Sequence, residues 1–403
     1  MAISRSPYRL LMFQGIIMQA AYFGLRPMVT YRAIELDAPI SQIGLLAAAF
    51  GGLSLLVAIP VGHWLDRIGP GRGTVVGVIL EAAGAVTALF ASNFTILFIA
   101  AMIMGLGHVV AMPGHTMYIA THFPAEKHME MYTNYSTMVS VGQAIGPGAT
   151  LFLAGQFASS TASNQINSQA GLAIALLVCL SALPAAIIIR EAKGQHALSH
   201  PQQSAKERKL KKQERKSSGS NSTTWAIMLS SAIVVAAQDV LITFLPLWAI
   251  ERNISPSMVG ALLASRAVFT LLIRMVSLRL VDRFGRKEIL AWSIVCGCIG
   301  FASLTFVSQE FAFLSMAFLG IGLGIAQPIT LVMLMDTVDK SERGKALGVR
   351  MFGHRLGQLG LPLAMGGVAD VAGMNGAWLA TTMVMSTGVF LTIFKSPPEN
   401  NAE

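Results

Sequence analysis

The chain has 403 residues, of which 54% are hydrophobic and only 12% are charged, and its mean hydropathy is +0.61. Soluble domains carry roughly 25% charged residues, so this composition excludes an ordinary soluble protein and predicts an integral membrane protein. The formal net charge of +9 is compatible with nucleic-acid binding. The basic residues sort by loop, however, which indicates membrane orientation instead.

Long stretches without Asp, Glu, Lys or Arg predict membrane helices, because a helix needs about 20 apolar residues to cross the hydrocarbon. The stretch 131–189 is long enough for two crossings, with a polar turn at 159–165. In total about twelve helices are predicted. The charge-free stretches are 38–65, 82–125, 131–189, 289–309, 311–335 and 371–394.

The first apolar stretch follows Arg5 and Arg9. We interpret it as a membrane helix, since no small-residue cleavage site of a signal peptide is evident and further spans follow. Within this helix, Gln19, Tyr22 and Arg26 recur at helical spacing and share one face.

The two halves of the chain repeat each other with a shift of about 215 residues. Gly105-Leu106-Gly107 returns as Gly320-Ile321-Gly322, and Asp66-Arg67-Ile68-Gly69 returns as Asp282-Arg283-Phe284-Gly285. The intervening segment is polar and basic, as expected of a flexible linker near anionic lipid headgroups. We therefore predict a six-helix half at 1–190, a basic linker at 191–224 and a second six-helix half at 225–403.

Basic residues outside the helices fall mainly on one side of the predicted membrane, whereas Arg32 and Arg252 fall on the other. By the positive-inside rule, both termini and the linker are cytoplasmic. We expect a multi-pass protein of the plasma (inner) membrane.

The segment Gly62-His63-Trp64-Leu65-Asp66-Arg67-Ile68-Gly69-Pro70-Gly71-Arg72 resembles the signature of the major facilitator superfamily between membrane helices 2 and 3, and 278–287 is a degenerate copy between helices 8 and 9. The resemblance covers essentially the whole chain. It implies an all-α membrane protein with twelve transmembrane helices in two pseudo-symmetric six-helix bundles, and a monomer. Glycines would let helices 2 and 11 approach, and Asp66 would latch the cytoplasmic side shut. The implied gating residues are Gly62, Asp66, Arg67, Gly69, Arg72, Asp282, Arg283 and Gly285.

The segment Gly142-Gln143-Ala144-Ile145-Gly146-Pro147-Gly148 resembles the glycine-proline motif of the superfamily's exporters, usually proton antiporters. The resemblance adds Gly142, Gly146, Pro147 and Gly148 to the gating residues and favours export. Small residues that simply let helices pack are the alternative reading. Exporters of this kind often carry arginine where this chain has Ala101. A proton-coupled importer of an organic anion and an uncoupled facilitator therefore stay open.

Ionisable residues inside the predicted helices are candidates for function, since each costs about 3 kcal/mol at the bilayer centre. They are Arg26, Glu81, Asp239, Arg266, Arg274 and Arg355. We interpret Glu81 as a structural partner of a loop arginine and Arg274 as reaching the cytoplasmic end. Four arginines against two acids favour an anionic or zwitterionic solute.

Arg26 and Asp239 lie at nearly matching positions of the two halves. We expect them to face each other across a cavity, either as a coupling unit in which protonation of Asp239 frees Arg26 or as a fixed ion pair. Histidines of helices 4 and 11 are alternative proton carriers. The predicted substrate and coupling residues are Gln19, Tyr22, Arg26, His108, Met112, His115, Gln238, Asp239, Phe244, Arg266, His354, Arg355 and Gln358.

Motifs of other protein classes are missing from the sequence. It contains no ATP-binding loop, nucleophile elbow or metal-ligand cluster. We therefore expect no enzyme activity and no cofactor other than a proton gradient. The expected partners are a small-molecule substrate and the lipid bilayer, without nucleic acid.

Overall fold

Helices make up almost all of the residues that the structure, a computed structural model, describes: 5–157, 166–191, 222–338 and 343–395. No strand occurs in these ranges. Apolar sequence dictates this outcome, because a backbone in hydrocarbon must satisfy its hydrogen bonds within its own segment. Large apolar side chains cover the outer surface, among them Leu56, Met275 and Phe306.

Seven helices form the described part of the first half. Polar side chains cap two of them, since Asn93 accepts from the backbone N–H of Ile96 at 3.0 Å and Asn167 accepts from that of Ala170 at 2.9 Å. The helices are α1 (Arg5–Glu35), α2 (Ile40–Ile68), α3 (Pro70–Leu89), α4 (Phe94–His122), α5 (Ala125–Gly155), α6 (Ser168–Ser181) and α7 (Leu183–Glu191).

Six helices and one short 3-10 turn, Gln309–Phe311, form the described part of the second half. Gly373 interrupts the last helix, because its φ of 66° and ψ of −177° are not helical. The helices are α8 (Ser222–Glu251), α9 (Pro256–Phe284), α10 (Arg286–Ser303), α11 (Ala312–Gly324), α12 (Ala326–Thr337) and α13 (Arg343–Lys395).

Nine helical stretches in the described ranges are long and apolar enough to cross a membrane. One of them, within α13, is 48 residues long and contains the break at Gly373, while α6 with α7 and α11 with α12 form one stretch each. Two further helices, α1 and α10, have 31 and 18 residues and pack within their halves. These elements fit the predicted count of twelve crossings, which itself stays a prediction.

The predicted repeat is visible in the backbone. Gly69, between α2 and α3, has φ 86° and ψ 152°, and Gly285, between α9 and α10, has φ 90° and ψ 155°. At the opposite end, Asp37 and Asn253 both have φ 54°. Each of these pairs is separated by 216 residues, so both halves turn with the same geometry.

Glycines repeat the same helix contacts in the two halves. Gly105 of α4 packs on the backbone of Phe50 in α2, and Gly320 of α11 packs on that of Arg266 in α9. A Cβ at any of these glycines would collide with backbone, so only glycine permits the approach. Gly107 and Gly322 meet α3 and α10 in the same way. The two halves therefore share one internal architecture.

The halves contact each other at one end of the bundle. Gly44, near the start of α2, packs on Gly366 of α13, where a Cβ would lie 2.9 Å from the Gly366 Cα. Gly148 of α5 packs on Gly260 of α9. Both contacts lie near the end that carries Asp37, here called the opposite end.

The other end, which carries the turns at Gly69 and Gly285, is here called the basic end. A Cβ at Gly62, close to this end of α2, would meet no atom of the described residues within 4 Å, and the same is true at Gly348 of α13. In the described part of the chain, the two halves are thus apart between α2 and α13 at the basic end and in contact at the opposite end.

The predicted gating contact at Gly62 is not made in this conformation, in which α2 approaches α13 at Gly44. The role of Gly62 when the basic end is closed stays a prediction. Asp66 is exposed and has no ion-pair partner within the described ranges. The predicted latch is open in this conformation because its two sides are apart.

Two predicted features fall where the structure gives no description. The turn at 159–165 lies outside the described residues, although α5 and α6 on either side are separate helices as predicted. Most of the linker at 191–224 also lies outside them. The domain boundaries therefore stay predictions.

Candidate substrate and coupling site

A cavity of about 240 Å³ lies between the two halves at mid-depth. Its wall is made by α1, α4 and α5 from the first half and by α8, α9, α12 and α13 from the second. Eight of the residues predicted from the sequence line it, and they come from both halves. They are Tyr22, Arg26, His108, Gln238, Asp239, His354, Arg355 and Gln358.

Arg26 and Asp239 form an ion pair across this cavity, linking α1 to α8. Both residues are buried, with exposed fractions of 4% and 6%. The Arg26 guanidinium also lies 5.5 Å from the centre of the Phe50 ring and 6.0 Å from that of Phe23. These aromatic faces add cation-π attraction and confine the guanidinium. The predicted proximity is therefore present, while its role in binding or coupling stays a prediction.

Tyr22 and His108 form the wall of the cavity on the side of the first half. Their rings stack with centroids 3.8 Å apart and an interplanar angle of 15°. The Nδ1 atom of His108 is buried and has no hydrogen-bond partner. The stack thus presents a flat aromatic surface beside Arg26, suited to an aromatic or planar part of a solute.

Arg274 lines the cavity from α9, and a proline explains its position. Pro328 has no backbone N–H, so it cannot donate to the carbonyl of Gly324, four residues earlier. The chain breaks there between α11 and α12, and Arg274 Nε donates to that carbonyl at 2.8 Å. Arg274 also donates to Ser140 of α5. It therefore lies inside the cavity, and the expectation that it extends to the end of the helix is wrong.

A polar network anchors α13 to α8 and α12. Arg350 donates to Ser231 at 3.0 Å, to the carbonyl of Gln327 at 3.0 Å and to Thr330 at 3.3 Å. His354 Nε2 lies 2.8 Å from the Ser231 hydroxyl. No ion pair of the described residues involves Arg350. Its positive charge is therefore held by neutral groups next to the cavity.

Arg355 completes the basic lining on α13. Its Nη1 donates to Gln358 Oε1 at 3.0 Å, one turn further along the helix. Both side chains face the cavity. The guanidinium is thus oriented by a neutral partner and keeps its charge available to a solute.

Three predicted residues of the first half lie behind the wall of the cavity. Gln19 donates to the sulfur of Met112 at 2.9 Å and accepts from Gln143, which does line the cavity, at 3.3 Å. His115 is fully buried, and its Nδ1 lies 2.7 Å from the Tyr135 hydroxyl. These side chains support the wall and are not part of its surface.

Two predicted residues of the second half are not at the site. Phe244 is fully buried in the hydrophobic core and does not line the cavity. Arg266 is buried at the contact of α9 with Gly320 of α11, also outside the lining. Spacing placed both residues in the correct helices, but the rotation of each helix turns them away.

Glu81 also differs from its predicted role. It is completely buried in α3, and neither carboxyl oxygen has a hydrogen-bond partner in the part of the chain that the structure describes. The loop arginine expected as its partner is not there among the described residues. The reason is its depth, since the middle of α3 is packed against α4 and α6.

Sequence reasoning missed several polar residues that line the cavity. Ser136, Ser140 and Gln143 recur at intervals of four and three residues, which places them on one face of α5. This spacing is a signal that could have identified them. Gln327 also lines the cavity but gives no such signal, because it lies at the break between α11 and α12 next to Pro328.

The glycine-proline motif of α5 has a packing role in this conformation. Gly142 and Gly146 approach the backbone of α1 at Ile16 and Ala20, and Gly148 meets α9 at Gly260. Any side chain at the first two positions would collide with a carbonyl oxygen. The motif thus holds α5 between α1 of its own half and α9 of the other half.

Comparison with known proteins gives relatives along the whole chain. It is 22% identical over 373 residues to multidrug resistance protein 2 of Bacillus subtilis (strain 168), covering 90% of this chain and 88% of the relative. It is 31% identical over 115 residues to quinolone resistance protein NorA of Staphylococcus aureus, covering 28% of this chain and 29% of the relative.

Solved structures share the fold at low identity. The inward-open conformation of the xylose transporter XylE from E. coli has a TM-score of 0.75 at 14% identity, covering 98% of this chain and 97% of that one. A bacterial homologue of the human lysosomal transporter Spinster, inward-facing and occupied, has a TM-score of 0.72 at 17% identity, covering 96% and 97%. The sequence profile described as Major Facilitator Superfamily matches residues 11–252 and 227–403. Two related helical halves around a central polar cavity and this match along nearly the whole chain show that the protein belongs to the Major Facilitator Superfamily, and it is a membrane transporter.

Proposed function

We propose that this transporter exports a small amphiphilic solute, anionic or zwitterionic, by alternating access coupled to proton antiport. The supporting observation is the charge of the cavity. Three guanidinium groups line it, those of Arg26, Arg274 and Arg355, against the single carboxylate of Asp239. Three positive charges less one negative charge leave an excess of two.

An excess of buried positive charge favours a solute that brings negative charge. Unpaired charges in a low-dielectric site are unfavourable, and a carboxylate, sulfonate or phosphate on the solute would offset that cost. The Tyr22–His108 stack offers an apolar surface next to Arg26. Together these features suit a molecule with an anionic group and a flat apolar part.

The Arg26–Asp239 pair is the candidate coupling unit. Protonation of Asp239 would remove the charge that holds Arg26 and release the guanidinium for the solute. Because the pair joins α1 to α8 across the two halves, the same protonation would also weaken a contact between them. Proton binding and solute binding are linked in this way through one guanidinium.

Export is supported by the relatives. Two of them are named as a multidrug resistance protein and a quinolone resistance protein. The glycine-proline motif of α5 points in the same direction. In this conformation the two halves are apart at the basic end. An exporter would take up a cytoplasmic solute from such a conformation.

Transport in everted membrane vesicles tests the proposal. When respiration acidifies the vesicle lumen, vesicles containing the protein should accumulate a fluorescent anionic amphiphile and not its cationic counterpart. A protonophore should abolish accumulation. The D239N variant should lose accumulation, while D336N, which removes an exposed carboxylate at the surface, serves as the matched control.

The remaining outcomes distinguish the alternatives. Efflux of the anion from loaded vesicles, driven by the same gradient with the lumen acidic, would indicate a proton-coupled importer. If the anion equilibrates across the vesicle membrane at the same rate with and without the proton gradient, the protein is an uncoupled facilitator. Preferential accumulation of the cation would overturn the proposed solute class.

A further inference from the structure

Glu81 is a buried acid that the proposed mechanism does not use. It lies in the middle of α3 and is completely buried. Neither carboxyl oxygen has a hydrogen-bond partner, and no basic side chain of the described ranges interacts with it. No other glutamate is buried among those whose side chains the structure describes.

The described residues around Glu81 supply no countercharge. Gly107 of α4 packs directly on it, since a Cβ there would lie 2.5 Å from the Glu81 backbone nitrogen. The titratable side chains near enough to sense its charge are Cys179 of α6 and Tyr22 of α1. Both are uncharged at neutral pH, so neither can neutralise a carboxylate.

The position of Glu81 relates it to the cavity. The residue after Gly107 on α4 is His108, which lines the cavity and stacks on Tyr22. Glu81 therefore lies behind the aromatic wall, with α4 between it and the solute site. It can respond to a movement of that wall without touching the solute.

An ionised carboxylate in this environment is strongly unfavourable, because it has neither water, nor a donor, nor a cation to replace its hydration. The neutral acid avoids most of that cost. Asp239 is in the reverse situation, since it forms an ion pair with Arg26. The two buried acids thus lie in opposite environments in the same conformation.

We propose that Glu81 is a proton-binding site of this transporter, separate from the Arg26–Asp239 pair, and that a proton occupies it in the conformation described here. Binding joins one proton from water to the carboxylate, and release reverses that step without any other reactant. Because the side chain has no access to solvent, exchange requires the contact between α3 and α4 at Gly107 to loosen. A conformational change that moves α4 would thereby gate the proton.

Infrared spectroscopy of the full-length protein in lipid vesicles at neutral pH tests this inference. Glutamate labelled with ¹³C at the side-chain carboxyl identifies glutamate bands without any substitution. We expect a carbonyl band of a protonated carboxylic acid that moves on labelling. Exposed glutamates are ionised at neutral pH and contribute only carboxylate bands.

Two variants test whether the carbonyl band of the protonated acid belongs to Glu81. E81Q should abolish it, while D239N, the matched removal of the other buried acid, should keep it. E81M replaces the acid by an apolar side chain of similar length and provides a second variant if E81Q does not fold. If labelling moves carboxylate bands alone, Glu81 is ionised and the inference is wrong.

The measurement is independent of the transported solute. A protonated Glu81 in a protein that fails the vesicle assay would overturn the proposed function and leave this site standing. An ionised Glu81 in a protein that passes the vesicle assay would overturn this site and leave the proposed function standing.

Discussion

At the scale of single residues, the charges inside the bundle fall into three environments. Asp239 is paired with Arg26, whereas Arg274 and Arg350 donate to neutral oxygens. Glu81 has no hydrogen-bond partner among the described residues. Sequence reasoning identified most of these residues, because any ionisable group in an apolar stretch is conspicuous. It could not assign their environments, since these depend on contacts between distant helices.

Removal of one partner of the Arg26–Asp239 pair should be costly. D239N leaves the Arg26 guanidinium buried without a counterion, and we expect a loss of about 3–5 kcal/mol in the free energy of unfolding. The double variant R26Q/D239N removes both charges and should recover part of that loss. Reversible unfolding of the purified protein in mixed micelles measures these differences.

The Arg286–Asp336 pair supplies the control for these substitutions. Its side chains are 41% and 54% exposed, so D336N should cost no more than about 1 kcal/mol. If D239N were as mild as D336N, the inner pair would be solvated and the cavity wetter than its burial indicates.

At the scale of helices, glycine and proline determine where backbones approach and where they break. Gly142 and Gly146 bring α5 against α1, and Pro328 separates α12 from α11. The sequence predicted close packing at the glycines because small residues are frequent at such contacts. It did not predict that the break at Pro328 would fix Arg274 in the cavity, since α9 and α11 meet only in the folded bundle.

This break leads to a test by compensation. R274A leaves the carbonyl of Gly324 without its donor, and we expect a loss of about 1–3 kcal/mol in the free energy of unfolding. P328A restores a backbone N–H that can donate to the same carbonyl, so R274A/P328A should be more stable than R274A. P328A alone, in the presence of Arg274, is the control. Equal stability of R274A and R274A/P328A would contradict the link between the two residues.

At the scale of the whole molecule, the two halves touch at the opposite end and are apart at the basic end. The contacts at Gly44 with Gly366 and Gly148 with Gly260 hold this arrangement. By the positive-inside rule we expect the separated end to face the cytoplasm. Alternating access requires that these glycine contacts open when the basic end closes.

A methyl group at the closed end should shift the balance between these states. In G44A the new Cβ would lie 2.6 Å from the carbonyl oxygen of Pro362, so the present conformation would be disfavoured. A cysteine at Ser136, an exposed position lining the cavity, reports on access from the basic end. We expect slower labelling of S136C by an impermeant thiol reagent in everted vesicles when G44A is present.

Gly360 provides the matched substitution for this experiment. A Cβ there meets no atom within 4 Å, so G360A should leave the labelling rate of S136C unchanged. Equal rates in G44A and G360A would show that the contact at Gly44 does not control opening. Faster labelling from the other side of the membrane would reverse the assigned orientation.

The sequence by itself determined the membrane helices, the repeat of the two halves and the charged residues within them. These properties are local. The length of each apolar stretch, the glycines at turns and the ionisable residues within apolar stretches can each be identified directly from the sequence. Only the tertiary structure decided which side chains reach the cavity. Phe244 and Arg266 turn away while Arg274 and Gln143 turn in, because a helix that is apolar on all sides carries no signal of its rotation. Packing against neighbouring helices supplies that rotation, and it also leaves Glu81 without a partner.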